Sequence, residues 1–142
     1  MKKLLVLACI LFLLTGCTEK TSVISCARDE ESASARFNIT YNDTKKIAIS
    51  GETVMDLKFS SLTDEQFDSI KNQDFCDSIL KNLNTQSDMY SNCRKSINGK
   101  IVTLTFDLDL AKLEKFENGL FKPTMSKEEI QKYFERQNAK CN

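Results

Sequence analysis

Cys26, Cys76, Cys93 and Cys141 leave this chain few ways to fold, because each pair that oxidises pins two distant segments to within about 6 Å between Cα atoms. The 142 residues hold six cysteines, and the other two, Cys9 and Cys17, lie in or at the edge of an apolar leader. Four cysteines allow three pairings. Outside the cytosol an even set in a small domain reads as a disulfide framework. The chain contains no Cys-x-x-Cys and no His, which argues against a thioredoxin-type redox centre and against a usual zinc site.

The leader supplies the compartment. Lys2 and Lys3 precede Leu4 to Leu14, a run with no charge or strongly polar side chain, and small residues follow before Cys17. As a helix that run would rise only about 16 Å, against about 30 Å for a bilayer's hydrocarbon core, so it reads as a secretory signal and not as an anchor helix. The order Leu14-Thr15-Gly16-Cys17 resembles the bacterial lipobox. That resemblance implies cleavage after Gly16, a diacylglycerol on the Cys17 sulfur, and a mature protein held on a membrane by two or three acyl chains. Thr18 is not the Asp that resembles an inner-membrane retention signal, so in a two-membrane cell the outer membrane is expected, and otherwise the cell membrane.

Loss of Lys2 and Lys3 leaves 18 basic residues against 20 acidic ones, a faintly acidic small domain. No basic cluster or Arg-aromatic pattern offers the concentrated positive face that nucleic acid requires, and nucleic-acid binding is not expected.

Residues 17–34 read as the lipidated Cys and a polar tether, with Glu19, Lys20, Arg28, Asp29, Glu30 and Glu31 ending in Ser32-Ala33-Ser34. Strand alternation begins at Phe37, Ile39 and Tyr41. Asn42-Asp43-Thr44 supplies a turn, and Ile47, Ile49, Met55, Leu57 and Phe59 continue as one long strand bulged near Ser50-Gly51. Thr63 and Gln66 form a capping box, with Leu62 and Phe67 as a hydrophobic staple, so a helix starts at Thr63. Its apolar side chains change direction between Ile70 and Phe75, which predicts a kink near Asn72-Gln73. The same start signature recurs in Ser126 and Glu129, with Met125 and Ile130, and predicts a second helix with Ile130, Tyr133 and Phe134 on one face and Cys141, at or just past its last turn, pointing inward with them.

Between the helices, Asn98-Gly99 followed by alternating Val102, Leu104, Phe106, Leu108 and Leu110 predicts a hairpin. With Asn98 and Gly99 as the turn, Cys93 lies opposite Leu104, Ser91 opposite Phe106 and Met89 opposite Leu108. Cys93 then points into the core, where Cys76 on the apolar face of the preceding helix can meet it. Cys26 with Cys141 follows by elimination. In the loop-closure model the short bridge contributes about 3 kcal/mol and the long one about 5, each comparable with a small domain's whole net stability.

The predicted architecture is α+β: two antiparallel hairpins form one sheet with two helices on one face, in the order ββαββα, over residues 35–142. The lipobox, the hairpin around Phe37-Asn38-Ile39-Thr40-Tyr41, the strand ending Lys58-Phe59-Ser60, the acidic helix start and Val102-Thr103-Leu104-Thr105-Phe106-Asp107 together resemble the YehR-like small lipoproteins. The resemblance implies an α+β domain with no assigned activity and supplies no catalytic residues. The four additional cysteines depart from that family's pattern.

Chemistry is scarce. Without His there is no Ser-His-Asp or Cys-His arrangement, and four glycines compose no phosphate loop or dinucleotide fingerprint. Neither a catalytic residue nor a cofactor or metal site is assigned. Asp107 and Asp109, with Glu114 and Glu117, are the carboxylates that an alternative cation-binding or small-enzyme reading would use; their simpler reading is a solvated strand face. Tyr90, Asn92 and Arg94 are predicted on the outer sheet face as a contact patch. Asn38 and Asn42, each in an Asn-x-Thr sequence, read as strand and turn residues. The expected role is therefore that of a membrane-anchored, non-catalytic binding module facing an envelope protein or an extracellular ligand, with a purely structural envelope protein as the other alternative.

Overall fold

The computed structural model describes residues 19–84, 88–115 and 121–142. Six strands form one antiparallel sheet: β1 Thr21–Asp29, β2 Ala33–Asn42, β3 Ile47–Lys58, β4 Tyr90–Asn98, β5 Ile101–Leu108 and β6 Lys140–Cys141. Their spatial order is β4-β5-β3-β2-β1-β6. Four helices, α1 Asp64–Ile70, α2 Phe75–Leu83, α3 Leu110–Lys115 and α4 Lys127–Arg136, complete the described elements. The class is α+β as expected, but strands dominate, and the order βββααββααβ replaces ββαββα.

The largest correction concerns residues 17–34. The expected tether contains β1, which pairs along its full length with β2, from Thr21 opposite Asn42 to Asp29 opposite Ser34. Its buried face is short, Ile24 and Cys26, and apart from Val23 its other face is small or polar, so composition alone disguised a strand. The charges at Arg28 to Glu31 mark the end of β1 and its turn, where the Glu30 amide donates to the Ala33 carbonyl at 2.8 Å.

The long bulged third strand is present. Thr40 faces Ser50 while Tyr41 faces Ala48, which makes Ile49 the extra residue. Gly51 fits closely here, since a Cβ would stand 3.0 Å from Leu108 Cδ2 and 3.2 Å from Ile39 Cδ1 and these side chains would have to give by a few tenths of an ångström. Both capping boxes form, at Thr63 and Ser126. The anticipated kink is a full break: Asp74 accepts from the Asp77 amide at 3.0 Å and starts α2 as a separate helix.

The inner sheet face is built by register. Val102, Leu104, Phe106 and Leu108 stand opposite Leu57, Met55, Thr53 and Gly51, and the last three of these stand opposite Ala35, Phe37 and Ile39. Val102, Leu104 and Phe106 are fully buried. The helices cover this face, with Ile130 and Phe134 of α4 in the core and Phe134 stacked on Phe37 at 4.8 Å. Burial of each such large side chain contributes about 1.5–3 kcal/mol, which explains why the sheet and helices form together.

Both disulfides join the expected partners. Cys26–Cys141 links directly opposed residues of β1 and β6, with Cα atoms 4.0 Å apart. Cys141 thus belongs to a strand and not to the end of the second predicted helix. Asn138, with φ 62°, turns the chain out of α4 into that strand. Cys76–Cys93 ties α2 to β4.

Candidate functional site

The hairpin register differs from expectation in two steps, and the second takes Tyr90 out of the predicted contact patch. Gly99 and Lys100 form the turn, with Asn98 opposite Ile101 and Lys95, not Cys93, opposite Leu104. A bulge between Ser91 and Arg94, where Asn92 takes φ 51°, then exchanges the faces of the residues before it. Tyr90 therefore lies opposite Leu108 and points inward, edge-on to Phe106 at 6.4 Å. Burial pushes its hydroxyl up to about 12, with the nearby Thr53 hydroxyl acting weakly the other way. No hydrogen bond of ordinary geometry forms between the two, and Thr53 Oγ1 is buried without a partner among the described residues.

Asn92 and Arg94 remain on the surface, and both converge on Asp107. Asn92 Nδ2 donates to Asp107 Oδ2 at 2.9 Å, and Arg94 Nη2 donates to Asp107 Oδ1 at 2.9 Å and to Glu52 Oε2 at 3.3 Å. The rung continues across the sheet: Asn38 donates to Glu52 at 3.4 Å and Ser25 to Asn38 at 2.9 Å. Five strands are thus joined by one polar row on the uncovered face. Hydrogen bonds from Arg94 and then Asn92 hold the Asp107 carboxyl below its usual value. Its charge is already matched, which removes it as a free cation ligand.

Asp109 is used locally, accepting from the Ala111 and Lys112 amides at 3.0 and 3.2 Å at the start of α3. Glu114 is exposed, and Glu117 lies outside the described residues, as do Cys17 and the leader. Among the described residues no group of three or more His, Cys, Asp or Glu is placed to hold a metal ion. None of the described helices is long and apolar enough to cross a membrane. Asn38 is the strand residue of the polar rung, and Asn42 is a buried turn residue whose Oδ1 accepts from the Thr44 and Lys45 amides at 3.0 and 2.8 Å.

The geometry instead marks a cleft of about 360 Å³ between the inner sheet face and the end of α4. Its apolar lining is Phe37 and Met55 from the sheet and Tyr133, Phe134 and Ala139 from α4 and its exit. The space exists because Ala33 and Ala35 occupy consecutive inward positions of β2, where longer side chains would fill it. Arg28 and Glu30, an ion pair at the rim, supply charge, and Gln137 supplies an amide. An apolar floor with few polar groups at its margin is the usual composition of a small-ligand site, and the volume lies at the lower end of that range.

The sequence identified Phe37, Tyr133 and Phe134 as core residues but missed the concavity beside them. A signal was available: the period-two series Ala33, Ala35, Phe37 extends β2 backward with small residues on its buried face. No protein-family model, curated protein or solved structure matches the chain.

Proposed function

We propose that this protein is a lipid-anchored, non-catalytic binding module exposed outside the cytoplasm, and that it captures an apolar group in the cleft lined by Phe37, Met55, Tyr133 and Phe134. The cleft is the observation that carries the binding reading: a well-packed domain leaves an opening of about 360 Å³ over two alanines and rims it with Arg28 and Glu30. A ligand with an apolar body and one polar end fits that distribution, its body on the aromatic floor and its polar end at the Arg28–Glu30 rim.

Location rests on sequence: the Leu14-Thr15-Gly16-Cys17 junction motivates acylation of Cys17. Two disulfides support an oxidising compartment. The layout similar to YehR-like lipoproteins points the same way.

The direct test uses 1-anilinonaphthalene-8-sulfonate, which has an aromatic body and one sulfonate. Its fluorescence should rise on saturable binding to the folded protein, and Ala35→Phe, which fills the cleft, should abolish that rise while leaving the melting temperature close to wild type. Equal binding by both proteins would remove the cleft from the account.

A further inference from the structure

The way the chain enters the fold sets how the domain meets the membrane. Glu19 accepts a hydrogen bond from Asn42 Nδ2 at 2.7 Å and pairs with Lys45 at 2.6 Å. Next to it, the Lys20 carbonyl accepts from the Asp43 amide at 2.8 Å, and the Lys20 amide lies 3.4 Å from Thr44 Oγ1. Only Thr18 separates Cys17 from this fixed chain. Two residues span at most about 7 Å, whereas a tether running to Ser25 would have reached about 28 Å.

The end of the sheet so held carries five lysines against four carboxylates. Lys20, Lys45, Lys46 and Lys122 are exposed there, and Lys127 reaches Asp43. Pro123 bonds the Ala48 amide at 2.8 Å, which brings Lys122 to the same end. Glu19 and Asp43 are each paired with a lysine; Glu128 and Glu129 lie in the first turn of α4, where Glu129 Oε2 accepts from the Ser126 amide at 2.8 Å. Beside this end two large apolar side chains face solvent on the outer sheet face or its bulge, Val23 at 61 % and Ile49 at 46 % exposure. The opposite end carries Asp29, Glu30, Glu31, Asp64 and Glu65, of which Glu31 and Glu65 are not needed for the ion pairs with Lys58, Arg28 and Lys100.

From this polarity, and resting on acylation of Cys17 as proposed above, we infer that the Asn42–Lys46 end docks on an anionic phospholipid surface. The lysines meet lipid phosphates, and Val23 and Ile49 enter the headgroup layer. Short attachment and exposed lysines coincide at this end of the domain, with Val23 and Ile49 beside them, whereas Ile97 and Ile101, exposed at the opposite end, have no such attachment. The cleft lies at the other end, beside Arg28 and Glu30, roughly 25–30 Å along β1 from the bilayer. The protein would therefore present its site outward, to something other than the lipid that holds it.

Lysine acylation footprinting tests this orientation. Acylated protein, verified by intact mass, is reconstituted in phosphatidylcholine vesicles with or without phosphatidylglycerol, and labelling is read by peptide mass spectrometry. With phosphatidylglycerol, labelling of Lys20, Lys46 and Lys122 should fall several-fold while Lys58, Lys71 and Lys100 stay unchanged. Lys20→Glu combined with Lys122→Glu should restore labelling at Lys46. Uniform labelling, or protection at the distal lysines, with Cys17 acylated would overturn the orientation alone. An intact mass without acyl groups would sink the anchor reading and this inference with it.

Discussion

Removal of the two disulfides, one at a time, should have unequal effects of calculable size. Cys26 and Cys141 are 115 residues apart and Cys76 and Cys93 only 17. Loop-closure entropy assigns about 4.8 kcal/mol to the long bridge and about 3.2 kcal/mol to the short one; the difference, about 1.6 kcal/mol, depends only on the logarithm of the ratio. Native contacts enlarge the gap. Cys26 is fully buried, and β6 is a two-residue strand that its bridge holds against β1, whereas α2 buries no residue completely. Cys26→Ala/Cys141→Ala should therefore lose stability globally, and Cys76→Ala/Cys93→Ala should lose less. Urea unfolding followed by circular dichroism would measure both, and the long-bridge variant should melt roughly 15 °C or more below wild type. Equal costs, or a larger cost for the short bridge, would refute the reasoning.

Thr53→Val should raise stability by about 1 kcal/mol in the same assay, since it removes a buried hydroxyl without a partner and keeps the shape; a loss would mean that Tyr90 and Thr53 do bond. Phe134→Ala should cost about 3–5 kcal/mol, because the ring is buried and stacks on Phe37; a cost below 1 kcal/mol would contradict the assigned core. Glu19, Asp43 and Asp107 all have carboxyl pKa values lowered by their hydrogen-bonded partners, chiefly Lys45, Lys127 and Arg94. Stability from them is present above the unfolded values of 4.5 and 3.8 and is lost as pH falls through the lower folded values. A melting temperature that rises on acidification through that window would contradict those pairs. Tyr90 works at the other extreme: its raised pKa contributes stability below pH 10 that disappears between 10 and about 12, and Tyr90→Phe should flatten that alkaline loss.

Local signals carried much of this fold. Two capping boxes, the Phe37 alternation and the β5 alternation each describe a structure that a few neighbouring residues decide, and each forms. Both cysteine pairings were also reached from sequence, and Cys26–Cys141 needed only elimination. The errors came where a neighbouring segment decides. β1 is a strand because β2 and β6 pair with it, and Ser22 and Ser25 are satisfied by Asp43 and Asn38 across the sheet, which no reading of 17–34 alone supplies. Tyr90 turned inward because of one bulge at Asn92, and a single extra residue exchanges every side chain beyond it between faces. The cleft depends on what is missing above Ala33 and Ala35, and absence of side-chain volume leaves only a faint trace in a sequence.

The central claim is attachment through Cys17, and intact-mass analysis of protein extracted from membranes of its own cells tests it most directly. The expected product begins at Cys17, carries a diacylglycerol on that sulfur and lacks residues 1–16. A freely soluble chain that retains the leader, or one that starts at an unmodified Cys17, would contradict the claim.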